Sequence, residues 1–379
     1  MTAALRIAFL DSWPQAAAEG SGTAVAIGGL AAALKRAGHH VDRIAPAAIT
    51  GPLLWRRLHF NLTLPQRLAQ ASYDLVVGVD IDGVRWARRA PMAYVCSLKG
   101  VLADEARCER GWPRLLLWGL SRLERRHARH APLVLATSTY SAGRITALYG
   151  VPAERIQVVP EGLDPRLWGL APGDEGTDGA AGAQDSQRER WPATVLCVAR
   201  QYPRKRVADL IDAFALLAVR CPRARLVVIG DGPDHHQLQQ QVKRLGLGSV
   251  VQLLGAVADD REVRRWYQRA SLFCLPSVQE GFGIVFLEAM ASGLPVVSTT
   301  ATAIPEVVPH GQAGLLVPPR DPAALAAAIE TLLHDPQRLA AARLAGRRQA
   351  LRYGWDQVAD RFLTAVAPLL ADRQGVTGR

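Results

Sequence analysis

Short apolar runs alternate with helix-like stretches along nearly the whole chain, and this alternation constrains the fold more than any other feature. In the first half, strand-like runs such as Leu5–Phe9, Leu75–Val79 and Leu133–Ala136 are separated by segments with helical periodicity. In the second half, Thr194–Val198 and Leu272–Leu275 are runs of the same kind. Continuous Val, Ile and Leu runs of this length are typical of parallel strands covered by helices on both faces. The sequence therefore predicts an α/β protein with two Rossmann-like, doubly wound domains.

A stretch of small and polar residues divides the chain near its middle. Residues 169–193 are rich in Gly, Ala, Asp and Gln without periodicity, which is typical of a linker. We therefore predict an N-terminal domain over 1–168, a C-terminal domain over 194–354, and a cleft between them. The chain ends in an amphipathic stretch, and residues 355–379 could pack back on the N-terminal domain. Ligands are expected at the carboxyl ends of the strands.

Composition and charge narrow the class of protein. The five cysteines include no Cys-x-x-Cys pair, which favours reduced core thiols over a disulfide framework or a zinc knuckle. No apolar run approaches the roughly 18 residues of a membrane span, and the N-terminus lacks a signal-peptide pattern. We therefore expect a cytoplasmic protein, which could also sit on the inner face of the plasma membrane. The net charge of +11 indicates an anionic partner.

Much of the positive charge falls between residues 85 and 130, where eleven basic side chains stand against four acidic ones. A helix over Trp112–His130 would group Trp118 with four arginines on one face. These are Arg114, Arg122, Arg125 and Arg129. The pattern fits an ordinary solvated helix face, but it equally fits a surface that binds an anionic membrane or an acidic glycan acceptor.

The segment 276–295 carries the clearest chemical pattern. A strand-like run ends, the turn Gly281-Phe282-Gly283 follows, and a helix begins near Ile284. Glycines let the backbone approach a ligand, and the first N–H groups of a helix favour a phosphate. The alternative is a tight strand-to-helix turn that binds nothing.

Two carboxylates, Glu280 and Glu288, flank this turn. On a helix they would lie about 12 Å apart, too far for the paired carboxylates of a glycosidase. The spacing suits two contacts on one long ligand, such as a nucleoside diphosphate sugar. Arg200 and Lys205 follow the first strand of this half and could neutralise the departing diphosphate. Since no Asp-x-Asp pair stands in this half, we expect neither a metal ion nor any other cofactor.

These residues lie within longer motifs that resemble the retaining family-four glycosyltransferases of GT-B fold. The matching stretches are 276–297, Arg200 to Lys205, 229–233, 311–321 and 159–164. The resemblance implies that Arg200 and Lys205 bind the donor diphosphate, Glu288 the ribose and Glu280 the transferred sugar. Of these, Glu280, Arg200 and Lys205 are the predicted catalytic residues. It also implies donor contacts from Gly22 in the other domain, from the amides of the turn, and from a base-binding region. The turn residues are Gly281, Phe282, Gly283 and Ile284, and the base-binding residues are Gly255, Ala256 and Val257.

Five positions depart from the family pattern. Ser21 replaces the first glycine of the donor loop, and Thr302-Ala303 replaces a Gly-Gly pair. Glu161 stands where an asparagine is common. Many relatives place a histidine near the sugar, but this chain has Ser97, with Lys99 close by, and we treat both as acceptor-side candidates.

The resemblance thus predicts a retaining, metal-independent hexosyltransferase with a UDP- or GDP-type donor. Its acceptor would be a glycan or glycolipid in cell-envelope, lipopolysaccharide or exopolysaccharide biosynthesis. A sugar-nucleotide epimerase of the same architecture is an alternative, and so is a non-catalytic protein that binds a nucleotide sugar or an anionic surface. A nucleic-acid binder would explain the charge, but the sequence has no helix-turn-helix, zinc-finger or aromatic-stacking motif.

Overall fold

The computed structural model of the chain describes residues 4–12, 22–46, 53–68, 72–88, 90, 92–170 and 190–377. The chain divides into two compact units. The first consists of Met1–Gly162 with Trp355–Arg379, and the second of Leu163–Gly354. The central part of the predicted linker, residues 171–189, lies outside the described residues, as do Ser21 and its neighbour Gly20.

The boundary between the units falls earlier than the sequence predicted, because residues 163–168 belong to the second unit. The Leu163 N–H donates to the Tyr353 carbonyl at 2.9 Å. Trp168, at the end of a short 3-10 helix, packs edge-on against Tyr267 with ring centroids 5.3 Å apart. These contacts join residues 163–168 to the second unit.

The first unit is built on a parallel six-stranded sheet with the order β2-β1-β3-β4-β5-β6. Its strands are β1 (Arg6–Leu10), β2 (His40–Ile44), β3 (Leu75–Val79), β4 (Ala93–Leu98), β5 (Leu133–Ala136) and β6 (Ile156–Val158). Its helices are α1 (Gly22–Arg36), α2 (Leu53–Leu68), α3 (Leu102–Glu105), α4 (Gly111–His130), α5 (Thr139–Tyr149) and the C-terminal helix Trp355–Thr377. Every residue of β3, β4 and β5 is buried, as expected for strands covered on both faces.

The C-terminal helix packs within the first unit. Trp355 lies so close to α1 that a Cβ at Gly29 would come within 2.1 Å of its ring. The Phe362 ring lies 6.1 Å from that of Phe9 in β1, and Arg36 pairs with Asp356 at 2.7 Å. The last helix is therefore part of this unit's core.

The second unit contains another parallel six-stranded sheet, with the order β12-β11-β10-β7-β8-β9. Its strands are β7 (Thr194–Val198), β8 (Arg225–Ile229), β9 (Val251–Gly255), β10 (Leu272–Leu275), β11 (Val296–Thr299) and β12 (Gly314–Val317). Its helices are α6 (Val207–Arg220), α7 (His235–Arg244), α8 (Asp260–Arg269), α9 (Ile284–Ala291), α10 (Ile304–Val307), α11 (Pro322–His334) and α12 (Pro336–Leu351). The C-terminal helix of the first unit is hereafter α13. Two parallel sheets with flanking helices confirm the predicted fold class.

The order of the second sheet determines which loops meet. Strand β10 lies between β7 and β11, and all three run in the same direction. The loops that follow them, 199–206, 276–283 and 300–303, therefore lie side by side at the carboxyl edge of the sheet. This is the edge at which α/β proteins bind their ligands.

Candidate active site

Lys205 and Glu280 form an ion pair at the carboxyl edge of the second sheet. Lys205 ends a short 3-10 helix after β7, and Glu280 lies in the loop after β10. Lys205 Nζ lies 2.6 Å from Glu280 Oε1, and the two side chains are only 15% and 8% exposed. Ser277 Oγ donates to the same carboxylate oxygen at 2.7 Å. The structure thus brings together two of the three residues that were predicted to be catalytic.

Hydroxyl groups from the end of β11 and from the loop after it hold the Glu280 loop in place. Thr299 Oγ1 donates to the Ser277 carbonyl at 2.6 Å. At the other end of the loop, the Glu280 N–H donates to Thr302 Oγ1 at 3.0 Å. Hydroxyl hydrogen bonds of this kind require the two loops to lie side by side, which the linear sequence does not reveal.

The glycine turn directs the start of α9 to the same edge. Gly283 has a φ of 92°, and a Cβ there would come within 2.5 Å of the Phe286 ring. Among the described residues, no side chain caps the helix that begins at Ile284. Its positive end therefore favours an anion. The Phe282 side chain is buried against Tyr353, so Phe282 can offer a ligand only its backbone.

Glu288 lies in the second turn of α9, where its carboxylate meets the hydroxyl of Tyr267. The Tyr267 hydroxyl donates to Glu288 Oε2 at 3.0 Å, and the Tyr267 ring stacks on Phe273 of β10. Burial raises the pKa of Glu288 to about 7 because it disfavours the charged carboxylate. Glu288 therefore titrates near neutral pH, and a hydroxyl that donates to it would favour its ionised form.

Arg200 is exposed at the end of β7, and its guanidinium carbon lies 5.8 Å from the Tyr202 ring centroid. This third predicted catalytic residue stands at the same edge as Lys205. Its long side chain leaves the guanidinium accessible to a ligand.

The Gly-Asp-Gly motif after β8 has a packing role that was not predicted from the sequence. A Cβ at Gly230 would come within 2.1 Å of the Ala199 carbonyl oxygen, and one at Gly232 within 2.7 Å of Gln201. The buried Gln201 side chain donates to the Gly230 carbonyl at 2.6 Å. These two glycines let the loops after β7 and β8 pack closely.

The predicted base-binding region lies at the end of β9. Gly255 has a φ of 70°, and its carbonyl accepts the Gly230 N–H at 2.7 Å. Ala256 is exposed and Val257 is partly buried. These residues stand two strands away from Lys205, at the same edge.

The acceptor-side candidates lie at the carboxyl edge of the first sheet. Ser97 is buried in β4, and its carbonyl accepts the Asp80 N–H at 2.9 Å. Lys99 follows β4 and pairs with Glu161, which follows β6, at 3.0 Å. Their side chains are 12% and 5% exposed. The partnership of Lys99 with Glu161 was not predicted, although Glu161 had been noted as a departure from the family pattern and Lys99 as an acceptor-side candidate. Gly22 is the exposed first residue of α1.

The first half contains an Asp-x-Asp pair, Asp80 and Asp82, which is engaged by protein donors. Ser12 Oγ donates to Asp82 Oδ2 at 2.6 Å, and Asn61 donates to Oδ1 at 3.2 Å. Arg57 lies 3.4 Å from Asp82 and 4.0 Å from Asp80. Burial raises the pKa of Asp82, and the neighbouring Arg57 offsets part of this effect. This network braces the ends of β1 and β3.

Helix α4 exposes a face that is both basic and apolar. Trp118, which had been predicted on this face, is 54% exposed, and its ring centroid lies 3.2 Å from the Arg122 guanidinium. Trp112 and Leu115 are 74% and 60% exposed. Among the described residues, no helix is long and apolar enough to span a membrane.

Comparison with known proteins covers both units. A family model described as Glycosyltransferase Family 4 matches residues 20–167, and one described as Glycosyl transferases group 1 matches 192–335. The chain is 32% identical over 301 residues to a GDP-mannose-dependent α-(1-6)-phosphatidylinositol monomannoside mannosyltransferase of Mycobacterium tuberculosis, covering 75% of each protein. It is 33% identical over 245 residues to a D-inositol 3-phosphate glycosyltransferase of Thermobispora bispora, covering 61% of this chain and 55% of that protein.

Solved structures share the fold. Sucrose-phosphate synthase from Thermosynechococcus elongatus aligns over 97% of this chain and 100% of its own, with a TM-score of 0.78 and 22% identity. The Anabaena protein HepE, in complex with UDP, aligns over 96% of this chain and 100% of its own, with a TM-score of 0.70 and 23% identity. At these identities the likeness concerns the fold.

Proposed function

The chain belongs to the family-four glycosyltransferases, and we propose that it transfers a hexosyl group from a nucleoside diphosphate sugar to a glycolipid or glycan acceptor in cell-envelope biosynthesis. The Lys205–Glu280 pair beside the glycine turn carries this proposal, because it combines a cation, a carboxylate and a helix N-terminus at one edge. The relatives named above are transferases, which favours transfer over epimerisation and over a non-catalytic role.

The donor would lie along the carboxyl edge of the second sheet. Arg200 and Lys205 would neutralise its diphosphate, Glu288 would accept hydrogen bonds from the ribose, and Glu280 would meet the transferred sugar. We favour GDP-mannose as the donor, since the Mycobacterium tuberculosis relative is named as GDP-mannose-dependent. The two cations supply the charge that stabilises the leaving group, so the proposal requires no metal ion.

We propose that transfer retains the anomeric configuration. Glu280 Oε1 already accepts from Lys205 and Ser277, which makes this oxygen a poor nucleophile. A same-face reaction would avoid a covalent intermediate. The acceptor oxygen bonds to the anomeric carbon, the bond from that carbon to the phosphate oxygen breaks, and the leaving phosphate takes the acceptor's proton. NMR assignment of the product's anomeric centre tests this step, and an inverted product would contradict it.

The acceptor would meet the first unit. Lys99, held by Glu161 at the carboxyl edge of the first sheet, offers a cation to a phosphorylated or acidic acceptor. The exposed face of α4 combines tryptophans with arginines, which is the composition that binds anionic membrane surfaces. We propose that this face holds the protein at a cytoplasmic membrane surface where a lipid-linked acceptor is presented.

The decisive experiment is a donor screen with the purified full chain. GDP-mannose, UDP-glucose and other nucleotide sugars are each incubated with vesicles that contain phosphatidylinositol and its mannosides, and nucleoside diphosphate release is measured. We expect release with GDP-mannose and a mannosylated lipid product by mass spectrometry. Turnover with UDP-glucose alone would overturn the choice of donor. Donor isomerisation without transfer would support the epimerase alternative.

A further inference from the structure

Thr302 lies in a backbone conformation that β-branched residues seldom adopt. Its φ is 55°, in the left-handed region where the Cβ of a threonine is crowded by the backbone. Glycine adopts this conformation without a steric penalty, and the family pattern noted above has a glycine here. A strained residue persists only when its surroundings hold it in place.

The Thr302 hydroxyl contacts the candidate active site directly. Its Oγ1 accepts the backbone N–H of Glu280 at 3.0 Å. The Glu280 carboxylate receives Lys205 Nζ and Ser277 Oγ on one oxygen. Thr302 thus holds the main chain of the residue whose side chain is proposed to meet the transferred sugar.

Two threonines, one at the end of β11 and one in the loop that follows it, brace both ends of the loop that carries Glu280. Thr299, the last residue of β11, donates to the carbonyl of Ser277, and Thr302 accepts from the N–H of Glu280. Gly281 follows directly and begins the turn into α9, so a shift at Glu280 would also move the amides of the turn. A glycine at 302 would permit the same backbone path but would offer Glu280 no hydroxyl.

We propose that Thr302 is a positioning residue for the donor sugar, because its hydroxyl fixes Glu280 and the turn that follows. The proposal rests on the proposed function, which assigns Glu280 to the transferred sugar. It predicts that loss of the hydroxyl affects sugar transfer more than it affects nucleotide binding, since Thr302 bonds to Glu280, whereas the proposed ribose and base contacts come from α9 and the end of β9. It also predicts that serine, which keeps the hydroxyl, can replace threonine.

The test compares Thr302→Val, Thr302→Gly and Thr302→Ser in the full chain. Valine keeps the shape without the hydroxyl, and glycine removes both the hydroxyl and the strain. One neutral hydrogen bond corresponds to about a fivefold effect. We expect kcat/KM for the donor to fall about five- to tenfold in the valine and glycine variants. Serine should stay within about twofold of the unmodified protein, and the affinity for free GDP should be unchanged in all three.

Ala193→Gly is the matched control for backbone strain. Ala193 also has a left-handed φ, of 52°, but it lies directly before β7, at the opposite edge of the sheet from the candidate site. We expect it to raise the melting temperature without changing turnover. If Thr302→Gly also raises the melting temperature and keeps full turnover, Thr302 is merely strained and the proposal is wrong. A parallel loss of GDP affinity in Thr302→Val would equally overturn it. Absence of donor turnover in the unmodified protein would instead contradict the proposed function.

Discussion

The carboxyl edges of the two sheets each hold a buried Lys–Glu pair, but the two pairs are built differently. Lys205 and Glu280 follow the adjacent strands β7 and β10, and Ser277 gives the Glu280 carboxylate a second donor on the same oxygen. Lys99 and Glu161 follow β4 and β6, which are separated by β5. Glu161 Oε2 has no hydrogen-bond partner among the described residues.

This difference separates a pair with local support from one that depends on a single contact. If Lys205 is removed, Glu280 keeps the hydrogen bond from Ser277 and remains placed. If Lys99 is removed, Glu161 loses the one side-chain partner seen in the described structure. We therefore expect changes at the second sheet to affect chemistry first, and changes at the first sheet to affect stability as well as acceptor binding.

The largest expected effect is a loss of turnover when Lys205 is replaced. Lys205→Ala removes the cation proposed to stabilise the leaving diphosphate, and kcat should fall by about a thousandfold. Nucleoside diphosphate release under saturating donor measures this. Lys243→Ala is the control, because Lys243 is an exposed lysine of α7 away from the carboxyl edge. A Lys205→Ala protein with near-normal kcat would remove Lys205 from the mechanism and weaken the contrast between the pairs.

The next effect concerns stability at the first sheet. Lys99→Ala leaves the nearly buried Glu161 carboxylate without its partner, and the free energy of unfolding should fall by about 3 kcal/mol. Urea denaturation measures the loss. The double change Lys99→Met with Glu161→Leu should recover most of it, since it removes both charges. Lys205→Ala should lower the free energy of unfolding less than Lys99→Ala does. The reverse order would contradict the proposed difference between the two pairs.

The sequence predicted the second edge far better than the first, and the reason is physical. Glu280, the glycine turn and Glu288 lie within one strand–turn–helix unit, so their spacing already describes a site. Lys99 and Glu161 come from strands that meet only when the sheet forms. Their residue types alone gave no indication that they pair, although Glu161 departs from the family pattern.

The same reasoning applies to Thr302 and to the boundary between the units. The contact between Thr302 Oγ1 and the Glu280 N–H depends on β11 lying beside β10, which no short-range spacing reveals. Residues 163–168 join the second unit through packing of Trp168 and a backbone hydrogen bond from Leu163 to Tyr353. The change in composition predicted the boundary at residue 169, but packing places the start of the second unit at Leu163.

A smaller effect is expected in the pH dependence of nucleotide binding. The pKa of Glu288 is about 7, and ribose hydroxyls that donate to its carboxylate would favour the ionised form. Affinity for GDP should therefore rise with pH through 7, and should fall about tenfold between pH 8 and pH 6. Calorimetric titration measures this. Glu288→Gln should remove the Glu288 contribution and leave only the titration of the nucleotide phosphate itself, which occurs near pH 6. An equally steep profile in Glu288→Gln would contradict the role of Glu288.

The smallest expected effect concerns membrane binding, which we expect from the exposed face of α4 in the first unit and not from the surface of the second unit. Trp112 and Trp118 of α4 are exposed next to arginines, and their indole rings would insert at the lipid interface while the arginines meet anionic headgroups. Replacing both tryptophans by alanine should weaken sedimentation with anionic vesicles by about fivefold, and added salt should weaken binding of the unmodified protein.

Val219→Ala is the control, because Val219 is 82% exposed on α6 of the second unit. If neutral vesicles sediment the protein as well as anionic ones, or if Val219→Ala has the same effect as the tryptophan change, α4 is an ordinary solvated helix. A loss confined to the tryptophan variant would place the membrane contact on the first unit, which carries the proposed acceptor edge. The second unit, which carries the donor edge, would then need no contact with lipid.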